Sequence, residues 1–311
     1  MSLEKRRWLQ IAFQIRGSVI RAVMPRSFFC SIFGLFISIL HVHQFPVALP
    51  ALTSLIPNIV LGLLLVFRTN TAYERFWEGR KFWGAMVNTV RNLARQIWVA
   101  IPETSERDRQ EKIKALYLLV AFAMTTKFHL RSEPLGNELE KLLSVDRIAK
   151  LQTMNNPPLE VAFWIGDYLQ GQHQRDRLHI YQLAAMHNLL DQLVDILGGC
   201  ERILKTPMPI AYAIHLKQFL LLYCLSLPFQ MVGNLGWWTA PTVLLISFTL
   251  FGIEEIGIEI ENPFGHDSND LPLDSICETM LRNIQDLITL VPNQEISANL
   301  HRDASELKSH L

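Results

Sequence analysis

Four apolar stretches, at roughly 27–45, 48–67, 214–233 and 237–260, constrain this chain more than any motif in it. A helix that crosses a bilayer core needs ~20 mainly apolar residues. The second and fourth stretches have that length; the first and third are shorter or carry a charge near one end. A fifth run, ALYLLVAFAMTT at 115–126, ends at Lys127 and reads as a buried helix of a domain outside the membrane. Composition agrees with a membrane chain. It is 50% hydrophobic and 19% charged, against roughly 25% charged in ordinary soluble domains.

Charge sets the orientation. Lys5, Arg6, Arg7, Arg16, Arg21 and Arg26 precede the first stretch, and Arg68, Arg75, Arg80, Lys81, Arg91 and Arg95 follow the second. The connections HVHQFPVALPALTS and GNLGWWTAP hold no Lys or Arg. By the positive-inside rule, both termini and residues 68–213 are cytoplasmic, with two short hairpins outside. A multi-pass location in an inner or plasma membrane is expected. Residues 1–26 form a basic amphipathic segment that either lies on the membrane or packs on the cytoplasmic domain.

Between the apolar pairs the pattern is helical. Residues 106–130 and 178–204 read as long helices, 134–152 and 158–172 as shorter ones, with NNPP at 155–158 as a loop. Gly198 and Gly199 are expected to end the second long helix. The fold class is therefore all-α: four transmembrane helices, 27–67 and 214–260, around a cytoplasmic helical region at 68–213. Residues 261–311 supply a cytoplasmic belt and a C-terminal helix.

Several function classes are excluded. Lys+Arg and Asp+Glu are equal at 29 each, which gives no basic balance for nucleic acid. Cys30, Cys200, Cys224 and Cys277 form no CxxC pair, as suits reduced thiols. The sequence contains no HExxH, GxSxG or glycine-rich phosphate loop, so an enzyme is not expected. His41 and His43 are interfacial residues rather than ligands. A carrier would want inverted repeats, and none is visible; a non-conducting scaffold is the other alternative.

Three motifs carry a resemblance. FRTNTAYERFWEGRKFWG at 67–84 is similar to the signature of the bestrophin family of pentameric ion channels. CERILKTPMPIAY at 200–212 and IENPFGHDSNDLPLD at 260–274 match two further family stretches in the same order. The likeness is closest to the prokaryotic branch. It implies a homopentamer in the lipid bilayer, passing inorganic ions through one axial pore lined by the second span. By position, the neck residues it implies are Ile59, Leu63 and Phe67, with Pro57 and Asn58 at the neck entry. Residues four apart drift only ~40° per step, so the three hold one stripe over about 12 Å. Val60, Leu61, Leu64, Leu65 and Val66 are apolar too, so periodicity alone leaves the water-facing stripe open. The resemblance also implies a cytoplasmic aperture, for which Ile180 and Leu183 compete.

The family's acidic calcium site falls on 267–270. Here Asp267 and Asp270 keep the two side-chain positions, with carbonyls expected from Glu259 and Asn262. Ser268 and Asn269 stand between them where acids would raise the charge. An Asx-rich structural turn without a cofactor is the expected reading. Glu254, Glu255, Glu259 and Glu261 crowd the end of the fourth span, against the helix dipole; Arg68, Arg75 and Arg80 are their expected partners. Apolar rings leave the sign of the ion open. Familiar animal and plant members pass chloride and other anions, while cation-conducting relatives exist among prokaryotes. The expected function leans to an anion channel, with a monovalent cation channel of the same fold as the alternative.

Overall fold

The computed structural model describes residues 10, 14, 17–49 and 55–290. The amphipathic segment expected at 1–26 lies mostly outside them. Its last residues are instead the first turns of α1, Ile20–Val42. The helices that follow are α2 Leu55–Ala100, α3 Glu106–Arg131, α4 Val145–Gln152, α5 Pro157–Gln174, α6 Ile180–Lys205, α7 Ile210–Leu235, α8 Thr239–Glu259 and α9 Leu273–Ile288. Short 3₁₀ turns occupy Asn137–Lys141 and Gly236–Trp238. Among the described residues there is no strand.

The chain divides into two compact units, 1–78 with 206–270 and 79–205 with 271–311. In the first unit, the four apolar stretches appear as α1, the first half of α2, α7 and α8. The helix α1 and the 50-residue α7–α8 stretch are long and apolar enough to cross a membrane. The helix α3 also meets that test, but 78% of its apolar window is buried inside the protein. It is a core helix, as its short apolar run suggested.

Small residues bring α1 and α8 together. The Ser31 hydroxyl donates to the Ala240 carbonyl at 3.0 Å, and Ser38 donates to Gly236 at 3.1 Å. A Cβ on Gly34 would stand 3.5 Å from the Ala240 Cα. In lipid there is little hydrophobic drive between helices, so close backbone approach and such hydrogen bonds carry the association. Leu61 and Leu65 of α2 join Leu216, Leu220 and Cys224 of α7 in one buried cluster with Val243 and Phe251 of α8.

In the second unit α3 packs against α5, α6 and α9. Ser105 caps its first turn through Asp108 N–H at 3.2 Å. Lys112 is buried but satisfied: its ammonium reaches the Ile101 carbonyl at 2.7 Å, Glu103 at 2.9 Å and the Trp98 ring centroid at 4.6 Å. Lys127, equally buried, pairs with Asp274 at 2.7 Å and Glu138 at 2.9 Å.

Two turn expectations are corrected. Asn156 caps α5 through Leu159 N–H, and both prolines of NNPP sit in its first turn, where a missing N–H costs nothing. The helix α6 does not end at Gly198 or Gly199; it runs on to Lys205. A side chain at Gly199 would collide with the Phe82 ring, so this glycine clears space for an aromatic packed on a continuous helix.

Glu201, the second residue of the CERILKTPMPIAY motif, ties this unit together. Its carboxylate meets His129 Nε2 at 2.8 Å, Asn156 Nδ2 at 3.0 Å and Lys205 Nζ at 3.0 Å. Burial favours the neutral acid, but the Lys205 and His129 contacts outweigh it and hold the group below the usual glutamate range. A depressed folded pKa stabilises above the unfolded value of ~4.3 and is lost as pH falls through the folded one. Glu201→Gln is expected to cost about 1.5–3 kcal/mol at pH 7. That difference should shrink below pH ~4, as thermal unfolding across pH 3–8 would register.

Candidate functional site

The first half of α2 has two faces. Leu61, Leu65 and Ala72 are buried, and so is Arg68; their spacing of four, three and four residues makes one inward stripe. At 100° per residue, Leu63 lies almost diametrically opposite this stripe, with Ile59 and Phe67 on either side of it. These three are 59%, 53% and 56% exposed within the chain. Ile56, at 71%, belongs to the same outward face and was not a candidate from the sequence. The signal that separates the faces is burial against α7. Chemically, Leu61 and Leu63 are the same residue.

Pro57 and Asn58 open this helix beside a cavity of about 250 Å³, with Tyr223, Ser226 and Gln230 of α7 across it. Gln230 Nε2 donates to Ser226 Oγ at 2.9 Å, and Ser226 donates to the Tyr223 carbonyl at 2.8 Å. Polar groups at this depth in a spanning helix face a cavity or another protein group, and these do.

At the other end of the apolar run the charges take over. Arg68 Nη2 donates to Glu261 Oε2 at 2.6 Å, while Glu261 Oε1 accepts from Met208 N–H at 2.9 Å. Arg75 Nε reaches the Glu261 carbonyl at 3.1 Å and its guanidinium also donates to the Thr206 carbonyl. Burial lowers the Arg75 pKa, partly offset by Glu261. Gly257 lets α8 approach this node, because a Cβ there would stand 3.2 Å from Arg68 Cγ.

The expected ion pairs are therefore half right. Glu261 does take Arg68 on its carboxylate, while Arg75 bonds its backbone carbonyl. Glu254 and Glu255 instead face Arg26 of α1, at 3.7 and 2.8 Å. Glu259 accepts from Asn269 Nδ2 at 2.6 Å.

In the acidic turn, Asp270 Oδ2 accepts from Asp267 N–H at 2.8 Å, and Asp270 N–H donates to the Asp267 carbonyl at 3.0 Å. Neither residue caps α9, whose N-cap is Pro272. Asn269 Nδ2, besides Glu259, points at the Gly17 carbonyl at 3.4 Å. The Asn269 amide thus bridges these two oxygens.

Of the two aperture candidates, Ile180 is 50% exposed at the first residue of α6, whereas Leu183 is 5% exposed within the core of its unit. Tyr181, at 80% exposure, is the neighbour that sequence reasoning passed over.

Four apolar helices in one unit and a wholly helical second unit define an all-α membrane protein. The chain belongs to the bestrophin family: the family model for bacterial and fungal bestrophin proteins matches residues 1–286. A relative from Nostoc sp., named a voltage-dependent anion channel-forming protein, is 64% identical over 94% of this chain and 95% of its own. One of the same name from Synechocystis sp. is 56% identical over 95% and 96%. Among solved structures, a bacterial bestrophin homolog from Klebsiella pneumoniae superimposes with a TM-score of 0.78. It is 30% identical and covers 86% of this chain and 98% of its own.

Proposed function

We propose that this chain is the subunit of an anion channel, assembled as a homopentamer around one axial pore. The observation that carries the reading is the outward stripe Ile59–Leu63–Phe67, opposite the buried stripe of the same helix, in a chain 64% identical to a protein named an anion channel-forming protein. The family sets it with channels and not with enzymes. Five copies of the stripe would stack three apolar rings into a neck that closes by dewetting. Pro57 and Asn58 stand at its entry, and Ile180 is our choice for the cytoplasmic aperture. Both termini lie in the cytoplasm, as the basic flanks favour. The acidic turn works as an internally hydrogen-bonded belt, with the Asn269 amide in place of a metal and no cofactor needed.

The purified full chain in a planar bilayer under a tenfold NaCl gradient tests conduction and sign together. Current reversing near the chloride potential is expected. Reversal near the sodium potential would make it a cation channel of the same fold, and silence of both the parent and the Leu63→Ala, Phe67→Ala variant would remove the channel reading.

A further inference from the structure

A cavity of about 560 Å³ opens in the first unit among α1, α7 and α8, lined by Arg26, Phe29, Lys217, Leu221, Phe251 and Glu254. Its volume suits a ligand of modest size, since such sites hold ~300–1,000 Å³. One wall is apolar and open: Phe29 and Leu221 keep 59% and 43% of their surface exposed. The other end carries separated charges. Glu254 is only 3% exposed, yet its ion pair is a long one, 3.7 Å to an Arg26 that is already bonded to Glu255 at 2.8 Å. Lys217 is exposed, and its charge acts on Glu254 without a hydrogen bond or close ion pair from its ammonium among the described residues.

A buried carboxylate needs a close donor to offset its desolvation, and the exposed Lys217 ammonium beside it is available to an acceptor. Lipid headgroups bind in basic pockets between transmembrane helices at their cytoplasmic ends. We propose that this cavity holds a phospholipid whose headgroup joins a phosphodiester to a primary ammonium, of the phosphatidylethanolamine type. The phosphate meets Lys217, the ammonium donates to Glu254, and the start of an acyl chain lies on Phe29, Leu221 and Phe251. A purely anionic headgroup would set a second negative charge near Glu254 and Glu255. A choline headgroup has no N–H to give. Free phosphoethanolamine would leave the apolar wall uncovered. None of this depends on whether the protein conducts.

The test is native mass spectrometry of the delipidated full chain in detergent, titrated with short-chain phosphatidylethanolamine, phosphatidylglycerol and phosphatidylcholine. Phosphatidylethanolamine is expected to bind about tenfold more tightly than either of the others, one charge-assisted contact's worth. Lys217→Ala, an exposed site that leaves the core intact, should weaken it about tenfold. Glu254→Gln should abolish the preference over phosphatidylcholine. Equal binding of the three lipids, a preference unchanged in both variants, or equal binding of free phosphoethanolamine would each overturn the proposal.

Discussion

Arg68→Met is expected to cost about 3–5 kcal/mol of stability, the loss that follows when one partner of a buried ion pair is left behind. Arg68 is 4% exposed, and its guanidinium reaches Glu261 at 2.6 Å. Without it, the Glu261 carboxylate keeps the Met208 N–H at 2.9 Å but loses the guanidinium bonded to its other oxygen. Arg75 addresses the carbonyl of the same residue, so it cannot fully replace the lost charge. The double variant Arg68→Met, Glu261→Gln removes the orphaned carboxylate and keeps an oxygen for Met208 N–H. It should regain most of the loss, because neutral replacements of buried pairs are often close to isoenergetic. The coupling between the two sites is then the measurable quantity, between about 0.5 and 3 kcal/mol for directly bonded residues. Thermal unfolding of the parent, Arg68→Met, Glu261→Gln and the double variant in one detergent would read it. A single variant within about 1 kcal/mol of the parent would show that Arg68 does not hold α2 to the end of α8.

That node also marks how far the sequence could be read. Acids at the end of an apolar helix call for cations, and Glu261 found the predicted arginines. Glu254 and Glu255 found Arg26 instead, because nothing in the order of residues says that α1 is the neighbour of α8. The spans were legible for a simple reason: twenty apolar residues have few other fates. Which side of a span is covered was not, since Leu61, Leu63 and Leu65 are identical in kind and only packing against α7 separates them. Gly199 misled for a related reason. Glycine near a helix end signals a stop when only local conformation is considered, but here the ring of Phe82, distant in sequence, required the space. The acidic turn shows the same limit. Its Asx chemistry was visible, while the bond from Asn269 to Gly17 spans most of the chain.

Leu63→Ala together with Phe67→Ala should raise the single-channel or macroscopic current by about tenfold or more, a fall of ~1.4 kcal/mol in the barrier to permeation. Both residues keep more than half of their surface exposed within the chain, so truncation leaves the buried cluster around Leu61 and Leu65 as it is. Stability should therefore change little, and a gain in current would report the pore and not a misfolded protein. The physical reason lies in the five-fold repetition of the proposed pore. Each substitution is made once per subunit, so a ring loses five apolar side chains together, and a constriction that excludes water becomes wide enough to stay wet. Ile56 provides a graded control on the same face, one turn nearer the entry and 71% exposed. Its truncation should raise the current less, because on the proposed reading it lies outside the three stacked rings of the neck. Leu61→Ala should do the opposite of Leu63→Ala: a loss of about 2–5 kcal/mol in stability from the buried side of the helix, with no gain in current per folded channel. If both leucines lowered stability and neither changed conduction, the outward stripe would be a lipid or subunit contact, and the pore would have to be sought on another helix.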